Sequence, residues 1–320
     1  MKYFFVINPS AGKGNKIEKL KQSVGEICTR RGLDFSVYLT TAVGDAERYV
    51  RQLCEENRET EEGIRIFACG GDGTINECFN GAYGFANVEL GVIPIGTGND
   101  FVRNFSGTEN FMDIEAQRYG EETAIDLIRC NGTYCVNLFN TGFDCEVVVK
   151  TGEIKRSPLV PAGMAYGMGV AFELIRKPGV KVELSIDGGA VETRELLLCA
   201  IGNGAYYGGG FTPLPYASLS DGMLDMCIVN NVSRLKFVSL VGSYKRGEHV
   251  VPKNRDVLTY VRCRRVDMVF PEMHNVCMDG EVKRMRECHL EVVPGALRLC
   301  VPRGSERLDR PELPSEESGL

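Results

Sequence analysis

The chain has 320 residues, of which 43% are hydrophobic and 25% are charged, and this composition excludes a wholly disordered protein. At roughly 150 residues per domain, the length corresponds to about two domains. Because 43 acidic residues outnumber 37 basic ones, the formal net charge is -6, which argues against a surface built to bind nucleic acid. We therefore expect no nucleic-acid partner.

The first 127 residues alternate predicted strands with predicted helices. Apolar, strand-forming stretches predict strands at residues 3–8, 34–40, 64–69 and 90–95. Helical spacing of apolar residues predicts helices at residues 17–31, 44–56 and 75–81, and a further one from about residue 100. Short apolar strands that alternate with helices are typical of a parallel sheet covered on both faces, so we expect an α/β domain over residues 1–127.

Strand signals dominate the rest of the chain and predict an antiparallel β domain over residues 128–295. They lie at residues 133–139, 180–186, 195–201, 224–229, 261–270, 275–278 and 290–293. Asp187-Gly188 and Asp279-Gly280 fall between such stretches, which indicates hairpin turns. The exception is a helix predicted at residues 161–176. Residues 304–320 are charged and poor in large apolar groups, so they predict a disordered tail.

Cysteine and histidine usage argues against disulfides and zinc. The thirteen cysteines are odd in number and many lie in apolar stretches, where buried reduced thiols are expected. With three histidines and no Cys-x-x-Cys pair, the chain has little with which to build a zinc site. The apolar start is too short for a signal peptide, and no apolar stretch reaches the ~20 residues of a membrane span. We expect a cytoplasmic protein.

Three glycine-rich loops each follow a predicted parallel strand. Residues 70–76 follow the third strand and precede a helix, residues 96–100 follow the fourth, and residues 8–14 follow the first. Because the carboxyl ends of parallel strands meet at one edge of a sheet, these loops should converge there, where glycines let the backbone approach a phosphate. Neither the P-loop pattern nor a complete G-x-G-x-x-G is present.

The run Gly70-Gly71-Asp72-Gly73-Thr74 resembles the signature of the diacylglycerol kinase catalytic-domain family, the soluble lipid kinases that are related to sphingosine and ceramide kinases. Further segments match the pattern of that family in order, at residues 8–13, 96–103, 137–142, 207–210, 221–225 and 279–281. The resemblance covers residues 3–301. It implies a Rossmann-like three-layer α/β nucleotide-binding domain, a C-terminal antiparallel β-sandwich domain for the lipid, and a return of the chain to the first domain near residues 296–303.

The resemblance also implies an ATP- and Mg²⁺-dependent kinase and assigns roles to individual residues. The residues assigned to the nucleotide and its phosphates are Asn8, Lys13, Thr40, Gly70, Gly71, Asp72, Gly73, Thr74, Ile75, Asn76, Thr97 and Asp100. A structural magnesium site is implied at Ser218, Asp221 and Met223, with a carboxylate and backbone carbonyls as hard oxygen ligands. The general base is implied at Asp279 or Glu281, and the sequence does not decide between them.

The function implied by the resemblance is transfer of the γ-phosphoryl group of ATP to a lipid hydroxyl, with diacylglycerol as the leading acceptor. Phosphatidylglycerol, a sphingoid base and, more distantly, NAD are alternative acceptors, and a catalytically silent nucleotide-binding regulator is an alternative of another class. The substrate implies peripheral contact with the inner face of the membrane. Basic residues at 245–246 and 262–265 are the docking candidates, and a homodimer is left open.

Overall fold

The computed structural model describes residues 1–12, 15–155 and 179–313. Lys13 and the helix predicted at residues 161–176 lie outside the described residues.

The first part of the chain forms a parallel sheet in which the fourth, third, first and second strands lie side by side in that order. Its strands are β1 (Lys2–Ile7), β2 (Phe35–Leu39), β3 (Ile64–Gly70) and β4 (Val88–Pro94). The helices that alternate with them are α1 (Lys16–Arg30), α2 (Asp45–Glu56) and α3 (Asp72–Ala82). This α/β half matches the alternation that the sequence predicts.

Helices cover both faces of the parallel sheet because successive side chains of its strands point in opposite directions. Phe5 of β1 packs in one core together with Val24 of α1, whereas the next residue, Val6, packs in the other core with Val50 of α2 and Phe79 of α3. Strand β3 is buried along its whole length, as expected for a central parallel strand.

Residues 101–118 differ from the continuous helix that the sequence predicts. They form two short 3₁₀ turns at Phe101–Asn104 and Thr108–Met112, followed by a short helix α4 (Ile114–Arg118). Gly107 separates the two turns with φ +56°, and a Cβ at that position would lie 2.5 Å from the backbone oxygen of Gly304. A helix cannot continue through a residue in this conformation.

The second part of the chain, the β half, is mainly antiparallel. Its strands are β5 (Glu121–Cys130), β6 (Thr133–Cys135), β7 (Leu138–Gly142), β8 (Val180–Ile186), β9 (Glu192–Gly202), β10 (Leu224–Asn230), β11 (Leu258–Cys263), β12 (Arg265–Met278) and β13 (Glu281–Val301). They continue the same sheet in the order β11-β10-β9-β7-β12-β13. Asp187 and Asp279 adopt φ +49° and +47° between paired strands, which confirms both predicted hairpin turns.

Two helices that the sequence analysis did not predict, α5 (Phe143–Lys155) and α6 (Arg234–Arg246), cover one face of the β half. In β10, Met226 faces the inner core while the next residue, Cys227, packs beneath Leu240 and Tyr244 of α6. Ser233 begins α6 by accepting a hydrogen bond from the backbone N–H of Lys236. Of the helices in the described ranges, none combines the length and the hydropathy that crossing a bilayer requires.

Strand β13 is 21 residues long and connects the two halves. Its first part pairs with β12, and it then runs antiparallel to β5 before Leu299 pairs in parallel with Leu90 of β4. The two halves therefore share one continuous sheet.

Residues 304–313 differ from the disordered tail that the sequence predicts, because they lie against the body of the protein. The backbone N–H of Ser106 donates to Glu306 O at 2.8 Å, and that of Leu308 donates to Asn104 O at 2.9 Å. The guanidinium of Arg310 lies 5.0 Å from the ring centre of Tyr206. Most of these contacts use backbone groups, so the polar composition of the segment does not reveal them.

All thirteen cysteines are buried and free. This agrees with the reduced thiols that the sequence predicts. Burial raises the pKa of most of these thiols, for example that of Cys54 to about 12.

Candidate active site in the cleft between the two halves

A cleft of about 1070 Å³ lies between the α/β half and the β half. Its lining combines the three glycine-rich loops with residues of β7, α5, α6 and the turn between β12 and β13. Pockets of this size that are shared by two domains are typical ligand sites.

The three loops converge as the sequence predicts, and glycine makes their close contact possible. A Cβ at Gly96 would lie 2.5 Å from the Cα of Gly71, and a Cβ at Gly12 would lie 2.7 Å from the backbone oxygen of Ile95. Gly12 also has φ +77°. Only residues without a side chain allow these backbones to approach so closely.

Helix α3 points its N-terminus into the cleft. Gly71 precedes the helix in an extended conformation, and its first turn has no side-chain cap, which leaves backbone N–H groups free to bind an anion. Gly71, Asp72, Gly73 and Thr74 all line the cleft. The Nδ2 of Asn8 donates to Oγ1 of Thr74 at 3.1 Å and so holds the first loop against the helix.

Asp72 and Asp100 face the cleft from either side of Gly98. A Cβ at Gly98 would lie 3.1 Å from Oδ2 of Asp72 and 3.4 Å from Oδ2 of Asp100. Burial raises the pKa of Asp100, the backbone N–H of Gly209 opposes this shift, and the charge of Asp72 adds to it. Arg103, whose Nε lies 3.3 Å from Oδ1 of Asp100, also opposes the shift, and two carboxylates beside one backbone position form a site at which a cation is stabilising.

Asp279 is held by the backbone. Its Oδ2 accepts from the N–H of Val136 at 2.6 Å, and its Oδ1 accepts from Asn137 and Leu138 at 3.0 and 2.8 Å. Burial raises its pKa although these three donors oppose the shift. The carboxylate therefore connects the hairpin turn to residues 136–138, at the start of β7, and both of its oxygens accept hydrogen bonds.

Glu281 differs from its neighbour. It is the first residue of β13, it lines the cleft and it is half-buried. Burial raises the pKa of its carboxyl group; Lys283 lowers it, while the charges of Glu77 and Asp279 raise it further. A carboxyl group with a raised pKa at the wall of a cleft is suited to exchange protons with a ligand.

Helices α5 and α6 give the other end of the cleft an apolar wall with one acid in it. The wall consists of Phe143, Val147, Val148, Phe237, Val238 and Val241. Asp144 lies among these side chains, where burial raises the pKa of its carboxyl group to about 6, and Tyr207 and Asn140 offset part of this effect by hydrogen bonding. The sequence analysis missed Asp144, although it directly follows the family-like segment 137–142.

The structure brings most, but not all, of the candidate residues together. The cleft lining contains Asn8, Gly71, Asp72, Gly73, Thr74, Thr97, Asp100, Asp279 and Glu281. Within the described ranges, the lining does not include Thr40, Gly70, Ile75, Asn76, Ser218, Asp221 or Met223. Ile75 belongs to the core, and the backbone N–H of Thr40 donates to Ile7 O at 2.9 Å.

The candidate magnesium site at Asp221 lies outside the cleft. The carboxylate of Asp221 pairs with the guanidinium of Arg262, and its Oδ1 accepts the backbone N–H of Met223 at 3.1 Å. In the part of the chain that the structure describes, no three His, Cys, Asp or Glu side chains group as metal ligands. A cation at Asp221 would therefore have to compete with Arg262.

Two family models match the chain. Residues 2–130 match the diacylglycerol kinase catalytic domain, and residues 137–301 match the YegS C-terminal NAD kinase beta sandwich-like domain. The chain belongs to the diacylglycerol kinase-like family of lipid kinases. The two matches together cover both halves around the cleft, and they confirm the resemblance seen in the sequence.

Individual relatives carry names of the same family. A probable lipid kinase YegS-like of Xanthomonas axonopodis pv. citri (strain 306) is 29% identical over 306 residues, covering 91% of this chain and 94% of that protein. The diacylglycerol kinase of Bacillus subtilis (strain 168) is 29% identical over 284 residues, covering 86% and 88%. The crystal structure of a putative diacylglycerol kinase from Bacillus anthracis str. Sterne matches with a TM-score of 0.72 at 25% identity, covering 93% and 96%. These names do not favour the NAD kinase or regulator alternatives.

Asp144 gives a prediction about stability. Because its carboxyl pKa is higher in the folded chain than in the unfolded chain, the native state loses stability as the pH rises from about 4 to about 6. We expect Asp144→Asn to raise the free energy of unfolding at about pH 8 by about 1–3 kcal/mol, with the gain shrinking towards pH 4. Urea unfolding at both pH values measures this. A gain that is the same at both would contradict it.

Proposed function

We propose that the chain transfers the γ-phosphoryl group of ATP to a lipid hydroxyl, with diacylglycerol as the acceptor and phosphatidic acid as the product. The observation that carries the proposal is the make-up of one cleft. Its α/β side presents an uncapped helix N-terminus that suits phosphate, its β side presents an apolar wall that suits acyl chains, and Glu281 lies in the lining they share.

We assign nucleotide binding to the α/β half, as in Rossmann-like domains. The free N–H groups of α3 and the positive end of its dipole would bind phosphate oxygens. The flanking loop residues Thr97 and Ser10 line the same end of the cleft and are placed to contact the nucleotide. Asn8 fixes the position of Thr74 within this cradle.

Mg²⁺ fits the pair formed by Asp72 and Asp100 better than it fits Asp221. Asp72 and Asp100 both approach a point beside Gly98 in the cleft lining, and Arg103 lies 3.3 Å from Oδ1 of Asp100; Asp221 is a single carboxylate, paired with Arg262 and outside the lining. When bound, Mg²⁺ neutralises charge on the transferring phosphoryl group. Asp72 and Asp100 would hold it, and Asp72 also accepts the backbone N–H of Phe101 at 3.0 Å, which fixes its orientation.

Glu281 is the residue that we assign as general base, and Asp279 positions it. A base needs an oxygen that can accept the proton of the attacking hydroxyl, and both oxygens of Asp279 already accept backbone hydrogen bonds. Glu281 lies two residues further on, at the wall of the cleft. Its raised pKa brings the carboxylate closer to the basicity that proton abstraction requires.

The charge of the cleft favours a neutral acceptor. Its acidic lining residues are Asp72, Glu77, Asp100, Asp144, Asp279 and Glu281, and the described part of the lining contains no Lys, Arg or His. The acids not assigned to Mg²⁺ are Glu77, Asp144, Asp279 and Glu281, and they would repel an acceptor with its own phosphodiester, which disfavours phosphatidylglycerol. Diacylglycerol is uncharged, and the name of the Bacillus subtilis relative supports it. Such a substrate places the chain at the inner membrane face as a peripheral protein.

The proposal is tested by incubating the protein with γ-labelled ATP, Mg²⁺ and a panel of micellar lipids. We expect label in phosphatidic acid from diacylglycerol, and at least about tenfold less label in products of phosphatidylglycerol. The ammonium group of a sphingoid base suits the acidic lining. Preferred labelling of a sphingoid base would mean that it, and not diacylglycerol, is the acceptor. Saturable ATP binding without any labelled lipid would overturn the kinase proposal.

Glu281→Gln and Asp279→Asn should have different effects. The first removes the base, so we expect turnover to fall at least about 100-fold, while ATP binding persists and the free energy of unfolding changes by less than about 0.5 kcal/mol. The second places an amide N–H against backbone donors and should destabilise the fold by about 2–4 kcal/mol. Steady-state kinetics, ATP titration and urea unfolding measure these effects.

A matched control is Glu287→Gln, on the same strand but outside the cleft lining. It should keep turnover and stability. Turnover by the Glu281 variant within about threefold of the unaltered protein would exclude that residue as the base.

Asp100→Asn tests the metal site. The amide keeps an oxygen for the N–H of Gly209, at 2.9 Å from Asp100 in the structure, but loses the charge. We therefore expect the Mg²⁺ concentration for half-maximal activity to rise about tenfold, since one anionic ligand is lost. Asp221→Asn should leave it unchanged. A shift in the Asp221 variant alone would place the catalytically required ion at Asp221 instead.

A further inference from the structure

One face of α6 exposes large aliphatic side chains to solvent. Leu235 is 86% exposed and Val238 is 56% exposed, and both lie on the same face of the helix as Gly242, because residues three and seven positions apart share a face. The opposite face, with Leu240 and Tyr244, is buried against the sheet. Single exposed aliphatic residues are ordinary, but an apolar helix face at the mouth of a binding cleft is not.

The charge of this helix is opposite to that of the whole chain. Between Arg234 and Arg246 it carries four basic residues and no acidic one, although the net charge of the chain is -6. Lys245 and Arg246 follow Gly242 on the exposed face, and Lys236 is partly exposed beside it. Basic residues that border an exposed apolar face are the pattern of helices that lie on anionic membrane surfaces.

The other basic cluster of the sequence is engaged within the protein. Arg262 pairs with Asp221 and approaches Asp225 at 3.5 Å, and Arg265 pairs with Asp267 at 2.9 Å. Arg246 of α6 likewise pairs with Glu248 at 2.7 Å, so ion pairing does not separate the two clusters; what distinguishes α6 is that the exposed Leu235 and Val238 lie on the helix itself.

The exposed face of α6 is continuous with the lip of the cleft. Val238 lines the cleft while remaining exposed, and so does Val148 of α5, which is 37% exposed. Across the opening, Val43 of the α/β half also lines the cleft and is 88% exposed. Aliphatic side chains therefore stand on both sides of the opening.

We propose that α6 docks the protein on an anionic bilayer, with Leu235 and Val238 entering between the lipid headgroups and the basic residues contacting lipid phosphates. The inference rests on the proposed function, because a lipid acceptor that moves from bilayer to cleft without crossing water needs the mouth to face the bilayer. If the acceptor crossed water, each methylene of its acyl chains that became exposed would cost about 0.8 kcal/mol. A second copy of the chain is a poorer occupant, since two such basic helices repel each other.

Leu235→Glu tests the proposal, because Leu235 is outside the cleft lining and an acid in the first turn of a helix favours the helix dipole. The probe is vesicle sedimentation with phosphatidylcholine alone and with phosphatidylcholine mixed with phosphatidylglycerol. We expect binding to the mixed vesicles to fall about tenfold. Lys236→Glu should lower it at least about fivefold on mixed vesicles and little on phosphatidylcholine alone.

The matched control is Val191→Glu, an equally large change at an exposed position before β9, which should bind vesicles as the unaltered protein does. Phosphorylation of a water-soluble short-chain diacylglycerol should be unchanged in the Leu235 variant. If the proposed function is wrong, this acceptor is not phosphorylated by any form, while vesicle binding still reports on α6.

Two outcomes overturn the docking proposal. One is vesicle binding by Leu235→Glu and Lys236→Glu that equals binding by Val191→Glu. The other is a change of oligomeric state in Leu235→Glu, measured by sedimentation, without any loss of vesicle binding, which would assign the face to contact between copies of the chain.

Discussion

The fold depends on one strand that belongs to both halves. Strand β13 begins at Glu281, in the wall of the cleft, and ends where Leu299 pairs with β4 of the parallel sheet. Because the hydrogen bonds of β13 to β12, β5 and β4 are formed along its length, Glu281 and the edge that carries the glycine-rich loops are held on one continuous sheet. The distance between Glu281 and the glycine-rich loops is therefore set by backbone pairing and not by a flexible linker.

The hairpin turn at the start of β13 shows how two neighbouring carboxyl groups acquire different properties. Asp279 adopts a left-handed conformation, and its carboxylate accepts hydrogen bonds from three backbone N–H groups. It therefore stabilises the turn. Glu281 follows on the same strand, half-buried among other acids. Sequence spacing alone makes the two residues equivalent candidates. The two residues differ because the backbone N–H groups of residues 136–138 donate hydrogen bonds to Asp279 and not to Glu281.

The sequence predicts those parts of the molecule that depend on local pattern. The parallel strands, the glycine loops and both Asp-Gly turns follow from apolar runs and turn chemistry, and the loops converge because parallel strands share an edge. Helices α5 and α6 escaped prediction because their apolar residues serve two surfaces, the sheet and the cleft, and so lack one clear stripe. Asp144 and the docked residues 304–313 depend on partners distant in sequence, which no local pattern encodes.

Burial of all thirteen cysteines predicts slow reaction of the folded protein with thiol reagents. The thiolate is the reactive form, and burial both blocks access and raises the pKa of most of these groups. Since the cysteines are spread through both halves, a reagent added to the native chain reacts at the rate at which segments open. The chain thus contains its own reporters of local unfolding, and a ligand bound in the cleft would slow the labelling of Cys277, which lines it.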